Sequence, residues 1–75
     1  MEKIKVKDII SMFEDGNYTS IYKIVITAKD GTEPLMICAF RSWVNITPHI
    51  LENNVNKCSV GIFDGDVTLK IYVEE

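Results

Sequence analysis

Two Asp-Gly dipeptides, Asp30-Gly31 and Asp64-Gly65, each lie midway between two apolar runs of the kind found in β-strands. Asp-Gly is favoured at the centre of a two-residue type I′ turn, because both central residues of that turn need a positive φ. Such a turn also matches the right-handed twist of the strands that it joins. The sequence therefore predicts two β-hairpins, and no other feature of the chain constrains the fold as strongly.

A short helix is predicted before each hairpin. Apolar residues recur between Val6 and Phe13 at the spacing of an amphipathic helix, and Gly16 suits the end of that helix. Thr47 and Pro48 are typical of the N-cap and the first position of a second helix. The element order is therefore α-ββ-α-ββ.

This order predicts an α+β fold and one domain that spans residues 1–75. We expect a four-stranded antiparallel sheet with the two short helices packed on one face. The order of the strands in the sheet does not follow from the sequence.

Centring the first hairpin on its Asp-Gly pair leaves apolar residues on both faces. One face pairs Ile26 with Leu35, Ile24 with Ile37 and Tyr22 with Ala39, and the other pairs Val25 with Met36, Lys23 with Cys38 and Ile21 with Phe40. A loop longer by one residue would exchange the faces and leave the excess of apolar residues unchanged.

The second hairpin separates its faces more clearly. The apolar face pairs Ile62 with Val67, Val60 with Leu69 and Cys58 with Ile71, and the other face pairs Lys57 with Tyr72, Ser59 with Lys70 and Gly61 with Thr68. One side is thus predicted to be core and the other solvated.

The composition favours a protein partner. Hydrophobic residues make up 47% of only 75 residues. Because one small core does not easily hide so many apolar side chains, we expect self-association, as in a homodimer, or binding to another protein. The net charge of −3 argues against a nucleic-acid partner.

The apolar stretches are far below the ~20 residues of a membrane span, and no signal peptide is recognisable. We therefore expect no membrane association and a cytoplasmic location.

Residues that could carry chemistry are few. Asp64 and Asp66 are explained by turn formation, and the single histidine, His49, would have to act with Cys38 or Cys58 across an unknown distance. The cysteines lack the spacing of a zinc or redox site, and we expect them to be small buried hydrophobes. The sequence predicts no enzyme, no catalytic or metal-binding residues and no cofactor.

A partner-binding patch is predicted where the first hairpin ends. Trp and Arg are enriched in binding hot spots, and Trp43 follows Phe40 and Arg41 here. With Met36 and Ile21 they form the predicted patch. The alternative interpretation of Trp43 is that its ring closes one end of the core.

Several segments resemble small uncharacterised proteins of phages, prophages and Firmicutes. They are Lys5-Val6-Lys7-Asp8-Ile9-Ile10, Lys23-Ile24-Val25-Ile26, the stretch from Ile46 to Leu51 leading to Val55, and the closing run from Leu69 to Glu75. The resemblance implies no established activity and no functional residues. The small size and acidity are also similar to those of phage proteins that inhibit bacterial immunity, including anti-CRISPR proteins, which commonly act by stoichiometric binding.

Our leading hypothesis is a non-enzymatic protein-binding module of phage or mobile-element origin that occludes a bacterial host protein, such as a defence protein. The alternative is a structural homo-oligomer in which the same patch is a self-complementary dimer interface. A variant of this alternative is an oligomer that sequesters a small nucleotide-type ligand between its subunits.

Overall fold

The computed structural model describes residues 4–15, 20–31 and 33–74. These residues form two α-helices, one 3₁₀ helix and four strands. In chain order they are α1 (Val6–Asp15), β1 (Lys23–Thr27), β2 (Pro34–Ala39), the 3₁₀ helix (Phe40–Asn45), α2 (Pro48–Leu51), β3 (Val55–Phe63) and β4 (Asp66–Val73). The α+β class and the α-ββ-α-ββ order are confirmed, with the 3₁₀ helix as an addition. None of the described helices has the length and apolar character needed to cross a lipid bilayer.

The four strands form one mixed sheet in the order β2-β1-β4-β3. Both hairpins are antiparallel, but β1 and β4 pair in parallel at the centre. The prediction of a purely antiparallel sheet was therefore wrong at this pair. β1 and β4 carry the most deeply buried residues of the sheet, including Ile24, Ile26 and Ile71 at 0% exposure. The parallel pairing places these two strands at the centre of the sheet, where their apolar side chains are best shielded from water.

The core lies between one face of the sheet and the helices. Val6 and Ile10 of α1 are fully buried, and they share one cluster with Ile24, Leu69 and Val73 of the central strands. Ile50 and Leu51 of α2 pack against the same cluster, as do Phe40 and Trp43 of the 3₁₀ helix. Packing of the helices on one face is therefore confirmed.

The second hairpin has the predicted register. Cys58 lies opposite Ile71, Val60 opposite Leu69, and Ile62 opposite Val67. Asp64 and Gly65 have φ values of 54° and 84°, as both central residues of a type I′ turn require.

The first hairpin departs from the predicted register. Thr27 lies opposite Pro34, which agrees with centring on Asp30-Gly31, but a β-bulge then shifts the pairing so that Ile26 faces Met36. Ile24 faces Cys38 and Val25 faces Ile37 by the same shift. Met36 and Cys38 thus point to the core, whereas Leu35 and Ile37 are exposed.

The turn of the first hairpin also differs from type I′. The Gly31 N–H donates to the Ala28 carbonyl at 2.8 Å, so Lys29 and Asp30 are the central residues of that turn. Gly31 has a φ of 76°, whereas Asp30 does not have a positive φ.

Candidate functional site

The predicted patch of Ile21, Met36, Phe40, Arg41 and Trp43 does not form one exposed surface. Ile21 belongs to the core at 6% exposure, and Met36, Phe40 and Trp43 are half-buried against it. Only Arg41 of the five is exposed. Partner binding by these residues stays a prediction.

Trp43 connects the 3₁₀ helix to α1. Its Nε1–H donates to Oε2 of Glu14 at 2.9 Å, while its ring packs against the core. Of the two interpretations of Trp43, closure of the core is the one that these contacts support.

Arg41 lies in a shallow cleft at the end of the first hairpin. The cleft has a volume of about 300 Å³ and is lined by Ser20, Ile21, Tyr22, Ala39 and Arg41. Arg41 supplies the one cationic group among these lining residues, whereas a nucleotide phosphate is commonly held by several donors.

The larger exposed surface is the side of the sheet that faces away from the helices. Successive residues of a strand point to opposite faces, so the neighbours of the buried residues of β1 and β4 lie on this side. We call this surface the open face and define it by Lys23, Val25, Leu35, Ile37, Lys57, Phe63, Lys70 and Tyr72.

One half of the open face is aliphatic. Ile37 is 57% exposed and lies opposite the half-buried Val25, and Leu35 at the bulge is 46% exposed. These residues are the apolar excess of the first hairpin. The bulge places them here, because it turns Met36 and Cys38 inward in their stead.

The other half combines lysines with aromatic rings. The Lys57 ammonium lies 4.6 Å from the centroid of the Tyr72 ring, and the Lys70 ammonium lies 5.3 Å from the centroids of both Tyr72 and Phe63. At these distances each ammonium is attracted to the electron-rich face of a ring. This half is therefore cationic, with apolar side chains between its charges.

Two glycines allow the aromatic rings to lie close to the sheet. A Cβ on Gly61 would lie 3.3 Å from the Phe63 ring, and one on Gly31 would lie 2.8 Å from Cε2 of Tyr72. Thr27, which pairs with Tyr72, is buried, and its hydroxyl donates to the Glu33 carbonyl at 3.1 Å. No polar side-chain atom that is buried in the described residues lacks a hydrogen-bond partner.

None of the eight residues of the open face belongs to the predicted site, and four of them, Lys57, Phe63, Lys70 and Tyr72, lie on the second hairpin. The signal was present, because the pairing of Lys57 with Tyr72 was correctly predicted for the polar face of the second hairpin. From the sequence, that face was predicted only to be solvated. Lysines and aromatic residues on two paired strands do not by themselves show that the ammonium groups lie over the rings.

The two cysteines lie on opposite edge strands. Cys38 of β2 is half-buried, and burial raises the pKa of its thiol, whereas Cys58 of β3 is exposed. The prediction that both are buried was therefore wrong for Cys58. Three strand spacings of ~4.8 Å separate these edges, about 14 Å, which is too far for a disulfide within one chain.

His49 lies beside a different cleft, of about 460 Å³, with Pro48, Glu52, Asn53 and Asn54. Neither cysteine lines this cleft. In the part of the chain that the structure describes, no three His, Cys, Asp or Glu residues are grouped in a way that could hold a metal ion.

Comparison of the chain with protein-family models, with curated proteins and with solved structures finds no match.

Proposed function

We propose that the chain is a non-enzymatic protein-binding module and that the open face is its contact surface. The observation that carries this proposal is the aliphatic half of the face, where Ile37 and Leu35 are 57% and 46% exposed beside Val25. Side chains of this kind, adjacent to each other on a sheet face, lose contact with water when a partner covers them.

The charge of the open face supports an acidic partner. Lys23, Lys57 and Lys70 lie on it, and two carboxylates lie at its border: Asp66, with Oδ2 3.8 Å from Nζ of Lys23, and Glu74, which follows Tyr72 by two residues. The chain as a whole carries a net charge of −3, so this face differs in sign from the rest of the molecule. A protein surface with apolar side chains beside carboxylates is complementary to it.

The proposed partner is a protein of a bacterial host. The resemblance to small phage and prophage proteins supports a bacterial host protein, and stoichiometric inhibition of a defence protein would require only a contact surface of this kind. In that role the protein would act in the bacterial cytoplasm.

The test is capture of proteins from a Firmicutes lysate by three forms of the chain: wild type, Ile37→Glu and Val44→Glu. Val44 is 66% exposed on the 3₁₀ helix, so its substitution adds the same charge at an exposed apolar position outside the open face. We expect the wild type and Val44→Glu to retain the same protein at equal stoichiometry, and Ile37→Glu to lose it.

The proposal would be contradicted if both Ile37→Glu and Val44→Glu lost the captured protein, or if both retained it. A single-stranded oligonucleotide that bound the wild type and was lost with Ile37→Glu would also contradict it, because lysines and aromatic rings on a sheet are the features that single strands use.

A further inference from the structure

β3 is an edge strand, and from Lys57 to Phe63 its outer edge carries backbone groups that no described residue pairs. The start of the edge is already paired, because the Val55 N–H donates to the Ile4 carbonyl at 2.8 Å and Lys5 pairs with Asn54. The Val67 carbonyl accepts a hydrogen bond from Tyr22 on the β1 side, and the Glu74 N–H donates to Asn54 on the β3 side. The backbone N–H and C=O groups of successive residues in a strand point alternately to its two sides. Those of Thr68, Lys70 and Tyr72 therefore point to β3.

Their partners on β3 are therefore the residues that face inward. Lys57, Ser59 and Gly61 lie opposite these three residues and direct their amide groups to β4. Cys58, Val60 and Ile62 direct theirs to the outer edge.

The same three residues have exposed side chains. Val60 is 47% exposed, Ile62 is 74% exposed, and Cys58 is exposed as well. They lie on the core face of the sheet, but the described helices do not cover it this far along β3. Free amide groups and uncovered apolar side chains thus coincide on one strand.

The two edges of the sheet differ in how well they resist pairing. β2 is six residues long, begins with Pro34 and carries the bulge, and each of these features hinders the addition of a strand. β3 is nine residues long, has no proline, and has Lys57 as its one charged residue. Its irregularity lies at one end, between Val55 and Lys57.

We propose that β3 pairs antiparallel with β3 of a second copy of the chain, in a two-fold symmetric dimer centred on Val60. The paired segment runs from Lys57 to Phe63. In this register Val60 faces Val60 of the second copy, and Cys58 faces its Ile62. About six hydrogen bonds form between the edges, because each of three opposed pairs exchanges two.

The sequence of β3 is complementary to itself in this register. Lys57 lies opposite Phe63 of the second copy, so the two lysines do not oppose each other and each can lie on an aromatic ring. Ser59 lies opposite Gly61 of the second copy, and these two side chains are too small to clash. Centring on Ser59 would also align the free amide groups, but it would place Asn56 opposite Ile62 at both ends and leave two apolar pairs instead of three.

The dimer leaves the aliphatic half of the open face uncovered, so this inference is independent of the function proposed above. It joins two four-stranded sheets into one of eight strands and places two open faces side by side. The resulting surface would be twice as large as that of one chain.

The first experiment measures the mass in solution by light scattering during size-exclusion chromatography, at micromolar concentration. We expect twice 8.5 kDa for the wild type and for Val44→Lys, and 8.5 kDa for Val60→Lys and Ile62→Lys. Val60→Lys places two lysines opposite each other at the centre of the interface, where they repel. Ile62→Lys places a charge opposite Cys58 of the second copy at each end, whereas Val44 lies outside the interface. Circular dichroism is used to check that each variant is folded. Two edge variants are compared, so that misfolding of one of them does not determine the result.

A monomeric wild type would overturn the proposal, as would a dimer that survives both edge substitutions or is lost with Val44→Lys.

A second experiment tests the register. Ile62→Cys places a thiol opposite Cys58 of the second copy, at the Cα separation of about 5.5 Å that suits a disulfide. Cys58 and residue 62 of one chain are about 13 Å apart along the strand, so they cannot join to each other. We expect mild oxidation to give a covalent dimer with Ile62→Cys and a monomer on denaturing gels with the double variant Ile62→Cys, Cys58→Ser. Equal cross-linking of both would overturn the register.

Discussion

At the scale of single residues, the two Asp-Gly glycines have similar backbones and different surroundings. Gly31 and Gly65 have φ values of 76° and 84°, in the left-handed region. A Cβ on Gly65 would meet nothing within 4 Å, whereas one on Gly31 would lie 2.8 Å from the Tyr72 ring. Gly65 therefore serves the turn alone, and Gly31 also sets the position of a ring on the open face.

This difference predicts unequal costs for the same substitution. Gly65→Ala is expected to lower the free energy of unfolding by about 1 to 2 kcal/mol through backbone strain. Gly31→Ala has the same strain and must also displace the Tyr72 ring, so its loss is expected to be larger. Urea unfolding of both variants measures the difference, and Tyr72→Ala in the Gly31→Ala background should remove the excess. Equal losses for the two alanine variants would show that the ring contact has no energetic weight.

At the scale of elements, an ion-pair cluster connects the chain before α1 and the start of α1 to the end of α2. The Lys5 ammonium donates to Oε1 of Glu52 at 2.8 Å, and the Lys7 ammonium donates to Oε2 of the same carboxylate. Hydrogen bonds from Lys5 and then Lys7 lower the pKa of Glu52 from 4.5 to about 2. The Glu52 side chain is exposed, so salt weakens this connection.

The lowered pKa of Glu52 predicts how stability depends on pH. A carboxyl group whose pKa is lower in the folded state stabilises the fold above its unfolded pKa, and this contribution is lost as the pH falls. For Glu52 the loss is expected between pH 4.5 and about 2. Urea unfolding of wild type and Glu52→Gln should therefore give free energies that differ near neutral pH and converge across this window. A constant difference would contradict the ion pairing.

The elements also show which parts of the fold local sequence specifies. The second hairpin was predicted pair by pair, because Asp64-Gly65 sets both its turn type and its register. The first hairpin was displaced by a bulge, for which no residue type between Thr27 and Leu35 gives a clear signal. The parallel pairing of β1 with β4 joins residues more than 40 positions apart and follows from burial of the whole sheet, which local pattern does not encode.

At the scale of the whole molecule, an excess of apolar residues was predicted, and the structure places part of it on two surfaces. Leu35 and Ile37 lie on the open face, whereas Val60 and Ile62 lie at the β3 edge. The predicted patch around Phe40 and Trp43 instead packs against the core, since hydrophobicity alone does not distinguish a contact surface from a core boundary. Arg41 is the part of that patch that remains exposed.

The two surfaces predict separable behaviour. Ile37→Glu should leave the dimer intact while it removes the captured protein. Val60→Lys should give a monomer that still binds that protein, more weakly where both chains of the dimer take part. Mass measurement and capture on the same two variants check this, and a variant that lost both properties while folded would show that the surfaces are one.

Nuclear magnetic resonance can show directly whether the open face is the contact surface. Isotope-labelled protein is titrated with the purified protein that the wild type retains, and the amide and methyl signals are followed. We expect the signals of Val25, Leu35, Ile37 and Lys70 to shift or broaden first. Changes confined to Phe40, Arg41 and Trp43, with the open face unaffected, would contradict this expectation.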